Sequence, residues 1–237
     1  MNRCLACHER FFESVGWRKL LLMEPEALLC SLCESKLSRI SGQTCKICFR
    51  SLEKVAKEHF KEDQCLDCWR WQDREDTATL LERNVSLYEY NSFLKDWLAT
   101  YKYRGDAVIA TYFSPLLHKV YEKQFQRYIT VSMPLSPERL QTRGFNQSAL
   151  LMSPWAIDKR YLIRTTGEKQ SKKSRKQRIN QFTHNPFTLH PPSKNLIENQ
   201  SIVLIDDVYT TGTTVRQAAK ILLEHGAKKV ASLTIAR

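Results

Sequence analysis

Residues 201–214 (SIVLIDDVYTTGTT) predict a strand, a turn and the start of a helix, and they constrain the fold more than any other segment. Four apolar residues, 202–205, precede two adjacent carboxylates, Asp206 and Asp207. A hydroxyl-rich turn around Gly212 follows, and then a helical pattern begins. In an α/β fold this order places the acids at the carboxyl edge of a buried strand, where ligands usually bind.

The residue types of this segment suit a ribose phosphate. Backbone amides of the turn and the following helix dipole attract an anion, and Gly212 allows close approach with a positive φ. The two acids can accept hydrogen bonds from sugar hydroxyls or lie near a hydrated Mg²⁺. Four hydroxyls can donate to phosphate oxygens: Thr210, Thr211, Thr213 and Thr214. A capped helix without any ligand, or a metal site for phosphoryl transfer, would use the same residue types.

The string VLIDDVYTTGTT resembles the signature of the type I phosphoribosyltransferases, which bind phosphoribosyl pyrophosphate (PRPP). The resemblance implies that Asp206 and Asp207 face the ribose hydroxyls and are the catalytic residues if the protein is active. It also implies that the turn from Thr210 through Gly212 to Thr214 holds the 5′-phosphate, and that Mg²⁺ accompanies PRPP.

A second strand and turn are predicted at residues 127–137, ending in Pro134-Leu135-Ser136-Pro137. We expect Pro134 in the ligand-binding turn and Arg143 on the pyrophosphate, with Arg139 as the second candidate, because arginine binds phosphate bidentately. The same residues also fit a purely structural role, in which the prolines bound a strand and Asn146 caps a helix.

The fragment MPLSPERLQTRGFNQSALL resembles the ComF family of bacterial late competence proteins, and YKYRGD (101–106) and residues 170–180 match further blocks of that family. The resemblance extends from Cys4 to the carboxyl terminus. Ser132 is a departure, because relatives often carry proline there. The resemblance implies uptake and handling of single-stranded DNA during natural transformation, a cytoplasmic location near the uptake machinery, and a competence helicase or other uptake proteins as partners.

Residues 159–178 are strongly basic. A solvated loop would account for the charge, but two functional interpretations remain open. The segment precedes the signature strand, where phosphoribosyltransferases carry a hood over pyrophosphate, and it could equally grip a nucleic-acid backbone. The residues assigned to this hood or DNA contact are Lys169, Lys172, Lys173, Arg175, Lys176 and Arg178.

The eight cysteines form four C-x-x-C pairs: Cys4/Cys7, Cys30/Cys33, Cys45/Cys48 and Cys65/Cys68. Two such pairs complete the tetrahedral sulfur shell that Zn²⁺ prefers, so we expect two structural zinc ions. Spacing alone allows either adjacent pairing or a cross-braced arrangement. Closed shells leave no coordination position for catalysis, which makes this module structural or adhesive.

The fold class predicted is α/β, a type I phosphoribosyltransferase-like parallel sheet flanked by helices and preceded by a small zinc-ribbon domain. The expected division is a ribbon domain over 1–70, a linker over 71–84 and the α/β domain over 85–237. Strands are predicted at 85–90, 127–133, 161–164, 202–205 and 229–235, and helices at 92–103, 107–121, 146–155 and 214–225.

The formal charge of +12 favours polyanionic partners, with nucleic acid foremost. Trp97 and Tyr101 lie near basic residues and could stack on bases, although their helical spacing is more typical of a core-facing stripe. No stretch of 18 apolar residues and no secretory segment is present, so we expect neither a membrane span nor export.

Three functions therefore compete. The first is a PRPP-binding competence protein that handles single-stranded DNA. The second is an active phosphoribosyltransferase acting on an unidentified acceptor, since such chemistry needs positioning and electrostatics but no covalent nucleophile. The third is an adaptor whose zinc ribbons dock a competence helicase or channel.

Overall fold

Short hairpins and helices make up the cysteine-rich segment. The computed structural model describes residues 2–12, 26–103, 105–165 and 185–237. The elements of this first part are β1 (Asn2–Arg3), β2 (Arg10–Phe11), α1 (Ser31–Ser35), a 3-10 turn (Lys57–His59), β3 (Phe60–Lys61), β4 (Gln64–Cys65) and α2 (Leu66–Gln72). β1 pairs with β2 and β3 with β4, both antiparallel.

Strands and helices alternate in the remainder of the chain. The elements are β5 (Asn84–Tyr88), α3 (Ser92–Tyr103), α4 (Ile109–Gln124), β6 (Ile129–Ser132), α5 (Pro137–Arg143), α6 (Gln147–Met152), β7 (Leu162–Arg164), β8 (Phe187–Leu189), α7 (Lys194–Ile197), β9 (Ser201–Val208), α8 (Thr213–Glu224) and β10 (Lys229–Ala236).

Four of these strands form a parallel sheet in the order β5-β10-β9-β6. Consecutive residues of β9 point to opposite faces, as strand geometry requires. Ile202 and Leu204 join the core on one face, while Val203 and Ile205 join the core on the other. The parallel sheet flanked by helices confirms the predicted fold class.

The signature strand is longer than the apolar run predicts. β9 continues through both aspartates to Val208, because β10 pairs with it as far as Ala236 opposite Val208. The two aspartates therefore lie within a regular strand, near its carboxyl end.

Several elements differ from the prediction, among them the short helix α7 (Lys194–Ile197), which was not predicted. Residues 162–164 form an antiparallel ribbon with β8, separate from the central sheet, and β8 was not predicted. Helix α5 was also missed, although Pro137 at its first turn and Gly144 at its end, in the left-handed conformation with φ +77°, are typical helix boundary residues. Asn146 caps α6 as predicted, since its side chain accepts hydrogen bonds from the Ser148 and Ala149 amides.

A buried polar seam joins β5 to β10. Ser86 Oγ and Thr234 Oγ1 lie 2.7 Å apart, and Ser232 Oγ donates to Asn84 Oδ1 at 2.8 Å. Asn84 Nδ2 reaches the Cys48 carbonyl at 3.2 Å. The seam therefore links strands β5 and β10 to the cysteine-rich segment through hydrogen bonds.

The cysteine-rich segment shares both apolar cores with the sheet. Cys4 and Cys33 pack in the cluster that contains Val203, whereas Cys45 and Cys48 pack in the cluster that contains Ile202. Within the predicted linker, Trp71 is fully buried. The domain boundaries at 70 and 85 stay a prediction.

The aromatic stripe of α3 faces the core. Trp97 and Tyr101 are 4% and 0% exposed, which removes them from the surface available to nucleic-acid bases. Across the part of the chain that the structure describes, every helix is too short or too polar to cross a bilayer.

Candidate functional site: a cleft at the carboxyl edge of the sheet

Asp206 and Asp207 lie side by side but have different partners. Asp206 Oδ1 accepts from Ser148 Oγ at 3.1 Å and from the Asp207 amide at 2.9 Å. Asp207 Oδ2 lies 2.7 Å from Lys102 Nζ, in the last turn of α3. One acid is thus held by neutral donors and the other by a cation.

This difference sets the protonation of the site. Burial and then the negative charge of Asp207 raise the pKa of Asp206 to about 7, with Lys102 opposing the shift. Burial alone would lower the pKa of Lys102, but Asp207 and Asp206 outweigh it, so that pKa is raised. Near neutral pH Lys102 therefore stays charged while Asp206 can gain or lose a proton.

The turn between β9 and α8 presents unpaired backbone donors. Gly212 has φ +77°, and a Cβ there would collide with the Tyr209 hydroxyl and Arg216 Nη1. Within the described ranges, no hydrogen bond is donated by the backbone amides of Thr210, Thr211, Gly212 and Thr214. With the α8 dipole behind them, these amides suit a phosphate.

The threonine hydroxyls divide into two groups. Thr211 and Thr213 are buried and hydrogen-bonded to each other at 2.9 Å between their Oγ1 atoms. Thr210 is exposed, and Thr214 is half-buried and lines the cleft. Of the four hydroxyls assigned to phosphate by the sequence, the structure brings Thr214 to the cleft wall.

A cleft of about 150 Å³ connects the acids with three arginines. Arg139 and Arg143 come from α5, and Arg164 comes from β7. Burial, followed by the charges of Arg139 and Arg143, lowers the pKa of Arg164. None of the three forms an ion pair with a carboxylate among the described residues. The cleft therefore holds positive charge that a bound anion can compensate.

Arg143 has two further contacts. Its Nη1 donates to Gln147 Oε1 at 2.8 Å, and its guanidinium stacks on the ring of Tyr103 with 5.3 Å to the centroid. Gln147 Nε2 is buried and has no hydrogen-bond partner in the described part of the chain. Gln147 lines the cleft, as does Pro134.

Several cleft residues were not among the predicted site residues. Lys102, Gln147 and Ser148 lie within the YKYRGD and RGFNQS strings, so the motifs contained them without indicating their roles. Arg164 lies within the basic segment 159–178 but was not assigned to a site, and its position depends on the β7–β8 ribbon. The predicted hood residues, Lys169 to Arg178, lie outside the described residues.

The cysteines form two clusters by adjacent pairing. Cys4, Cys7, Cys30 and Cys33 make the first cluster, and Cys45, Cys48, Cys65 and Cys68 make the second. Within each cluster the four sulfur atoms lie within 4.8 Å of one another, which fits a tetrahedral zinc shell. The Cys65 amide donates to Cys45 Sγ at 3.4 Å, a contact typical of metal-bound thiolates.

The two clusters differ in access. Every cysteine of the second cluster is buried, whereas Cys7 in the first is exposed and Cys30 is half-buried. Adjacent pairing resolves the alternative that spacing left open. Four sulfur ligands per cluster would fill a tetrahedral zinc shell and leave no coordination position for a substrate.

Comparison with known proteins agrees with this architecture. Residues 165–237 match the family model "Phosphoribosyl transferase domain". The chain is 38% identical to Competence protein ComFC of Bacillus subtilis over 240 residues, covering 99% of this chain and 94% of that protein. It is 31% identical to Competence protein ComFC of Streptococcus pneumoniae over 237 residues, covering 99% and 100%. DNA utilization protein YhgH of Salmonella typhi is 29% identical over 226 residues, covering 85% and 93%.

Proposed function

This chain belongs to the ComF family of competence proteins and carries a phosphoribosyltransferase-type domain, and we propose that its cleft binds PRPP or a related ribose phosphate together with Mg²⁺. The observation that carries the proposal is the arrangement of the cleft. In the described part of the chain, two carboxylates share the cleft with three arginines that have no carboxylate partner, next to a turn whose backbone amides are free. The carboxylates can accept hydrogen bonds from the ribose hydroxyls, while the amides and guanidinium groups can bind the phosphate groups of the ligand.

Mg²⁺ has suitable ligands in this arrangement. Asp206 and Asp207 are oxygen donors, and magnesium is commonly held by one or two carboxylates plus substrate phosphates. The ion would supply charge neutralisation to the pyrophosphate of the ligand. Lys102, at 2.7 Å from Asp207, already occupies one carboxylate oxygen, so the ion would share that acid with a lysine.

Calorimetry with PRPP and Mg²⁺ tests this part of the proposal. Wild type should bind, and the Asp206→Asn/Asp207→Asn variant should lose at least about a hundredfold in affinity because both sugar acceptors are changed. The variant Asp73→Asn/Asp96→Asn removes two exposed acids and should bind as wild type does. Equal affinity in all three proteins, or no binding by wild type, would refute the assignment.

We further propose that the protein handles single-stranded DNA, in line with its competence family. Two observations favour this role. The chain carries a formal charge of +12, and Tyr103 is 75% exposed with the Arg143 guanidinium stacked on its ring. An exposed aromatic ring beside a cation is the usual platform for stacked bases.

Fluorescence anisotropy with a labelled oligonucleotide measures this activity. Binding should weaken steeply as salt rises from about 50 mM to about 200 mM. Tyr103→Ala should lower the affinity more than Tyr90→Ala, which changes a tyrosine that is 41% exposed and has no stacked arginine among the described residues. No detectable binding at about 50 mM salt would exclude the role.

Catalytic turnover is tested separately, with the same protein preparations. Pyrophosphate release from PRPP across a panel of acceptors would identify a transferase. Release that disappears in Asp206→Asn/Asp207→Asn would place the reaction in this cleft.

A further inference from the structure

Two neighbouring carbonyls of the β9–α8 turn are held by residues next to the second cysteine cluster. Arg237 Nη1 donates to the Thr210 carbonyl at 2.6 Å, and Trp71 Nε1 donates to the Thr211 carbonyl at 2.9 Å. Trp71 is fully buried on α2, three residues after Cys68. These two bonds fix successive peptide groups of the turn.

Fixing the carbonyls orients the free amides. In a trans peptide the C=O and the following N–H point in opposite directions. Anchoring the Thr210 carbonyl therefore directs the Thr211 amide away from Arg237, and anchoring the Thr211 carbonyl does the same for the Gly212 amide. Both amides are among the unpaired donors of the turn within the described ranges.

Arg237 also contacts a cysteine of the second cluster. Its Nη2 donates to Cys48 Sγ at 3.2 Å, and its guanidinium lies over the Tyr209 ring with 5.1 Å to the centroid. Thiolates around a zinc ion carry excess negative charge, so an N–H donor with a positive charge stabilises the metal-bound form. One guanidinium thus touches a metal-ligand sulfur and the turn at the same time.

We propose that Arg237 is a positioning residue that couples the metal of the second cluster to the turn in the cleft. Metal at Cys48 holds Arg237, and Arg237 holds the Thr210 carbonyl. The ligand side of this inference depends on the proposed ribose-phosphate function, while the coupling itself does not. The first cluster is placed differently, since the Leu5 carbonyl beside it accepts from Trp97 Nε1 of α3 at 3.3 Å.

Arg237→Gln breaks the link, and Arg83→Gln is a matched control. Arg83 also stacks on an aromatic ring, at 5.1 Å from the Phe125 centroid, and donates to a carbonyl, that of Gln124 at 3.4 Å. It precedes β5, at the opposite edge of the sheet from the cleft. A loss of packing alone would affect both variants.

Two measurements on full-length zinc-loaded protein need no ligand. Release of zinc to a chromophoric chelator should be biphasic, with a fast phase from the more exposed first cluster and a slow phase from the buried second cluster. Arg237→Gln should accelerate the slow phase by about tenfold or more and leave the fast phase unchanged. Hydrogen exchange of the Trp71 indole proton, followed by NMR and assigned with Trp71→Phe, should also be faster in Arg237→Gln. Arg83→Gln should match wild type in both.

Ligand binding provides the third measurement. Calorimetry should give about tenfold weaker PRPP affinity for Arg237→Gln with both zinc ions retained, which corresponds to about 1.4 kcal/mol. By linkage, PRPP should raise the equilibrium affinity of the second cluster for zinc in wild type and not in Arg237→Gln, as measured by competition with the chelator. Absence of PRPP binding by wild type would refute the proposed function. The coupling between metal and turn would then be decided by zinc release and Trp71 hydrogen exchange alone. Wild-type behaviour of Arg237→Gln in either ligand-free measurement overturns the inference.

Discussion

Asp206 and Asp207 illustrate how neighbouring residues of one strand obtain different chemistry from their surroundings. Asp207 is buried and has an ion pair with Lys102, whereas Asp206 is half-buried beside a hydroxyl and an amide. A carboxyl group in a cleft with a raised pKa, such as that of Asp206, is typical of functional sites. An apo protein that keeps Asp206 close to its protonation midpoint can bind a cation or a sugar hydroxyl by releasing a proton.

Substituting Asp206 should stabilise the protein. An aspartate in the unfolded chain has a pKa near 3.9, whereas the pKa of folded Asp206 is about 7. Between these values the folded protein retains a proton that the unfolded chain has lost, so stability falls as pH rises through this window and the loss is complete above about 7. Asp206→Asn should therefore raise the free energy of unfolding by about 2 kcal/mol at pH 8 and by less at pH 5.

Urea unfolding at both pH values measures this effect, with Asp207→Asn as the comparison. Loss of Asp207 leaves the half-buried Lys102 without its 2.7 Å partner, which should lower stability by about 1–3 kcal/mol at pH 8. Equal and pH-independent changes in the two variants would contradict the difference in their environments.

Gly212 combines a backbone requirement with a close approach, and Gly144 separates the two effects. Both have φ +77°, but a Cβ at Gly144 would meet no atom within 4 Å, whereas one at Gly212 would collide with Tyr209 and Arg216. Gly144→Ala should cost about 1 kcal/mol of stability from strain alone, and Gly212→Ala should cost about 3 kcal/mol and abolish ligand binding. Thermal unfolding and calorimetry check these values, and equal costs would show that the turn tolerates a side chain.

At the level of elements, local patterns predict the central sheet better than they predict the walls of the cleft. The apolar run before Asp206 identifies β9, and the pattern of α3 gives its bounds as 92–103, which the structure reproduces. Lys102 escapes prediction because its role requires α3 to lie beside β9, and sequence spacing carries no information on that contact. Arg164 escapes because the partner strand β8 follows it only after residues 166–184, so no local pattern marks the ribbon.

Arg164, on the β7–β8 ribbon, should contribute to anion binding and not to the stability of the fold. Arg164 lies near Arg139 and Arg143, so removing its charge relieves repulsion in the free protein while weakening the binding of a pyrophosphate. Arg164→Gln should lower PRPP affinity by about tenfold with an unchanged or higher melting temperature. Arg160→Gln, an exposed arginine that does not line the cleft, controls for net charge and should change neither quantity.

At the level of the whole molecule, the cysteine clusters support the sheet as well as their own segment. Their sulfur atoms pack in the same apolar clusters as Ile202 and Val203, on opposite faces of β9. Metal bound at these positions therefore contributes to the folding free energy of the entire chain.

Removal of zinc should lower the stability of the sheet itself. Metal analysis should give two zinc ions per chain, and prolonged chelation should shift the main thermal transition downward by at least about 10 °C. Circular dichroism at a helix band would follow the α/β part of the chain, where most of the described helices lie. Cys7→Ser, which alters the exposed ligand of the first cluster, should give a smaller shift than complete chelation. An unchanged transition after both ions are lost would show that the sheet is independent of the clusters and would support the predicted boundary near residue 70.

The position of β10 has a consequence for biosynthesis. This strand lies between β5 and β9, and its contact with β5 between Ser86 and Thr234 joins residues 148 positions apart. A ribosome must therefore synthesise all the residues between β5 and β10 before β5 gains its neighbour in the sheet. The cysteine pairs precede β5 in the chain, so metal loading during synthesis can precede closure of the sheet.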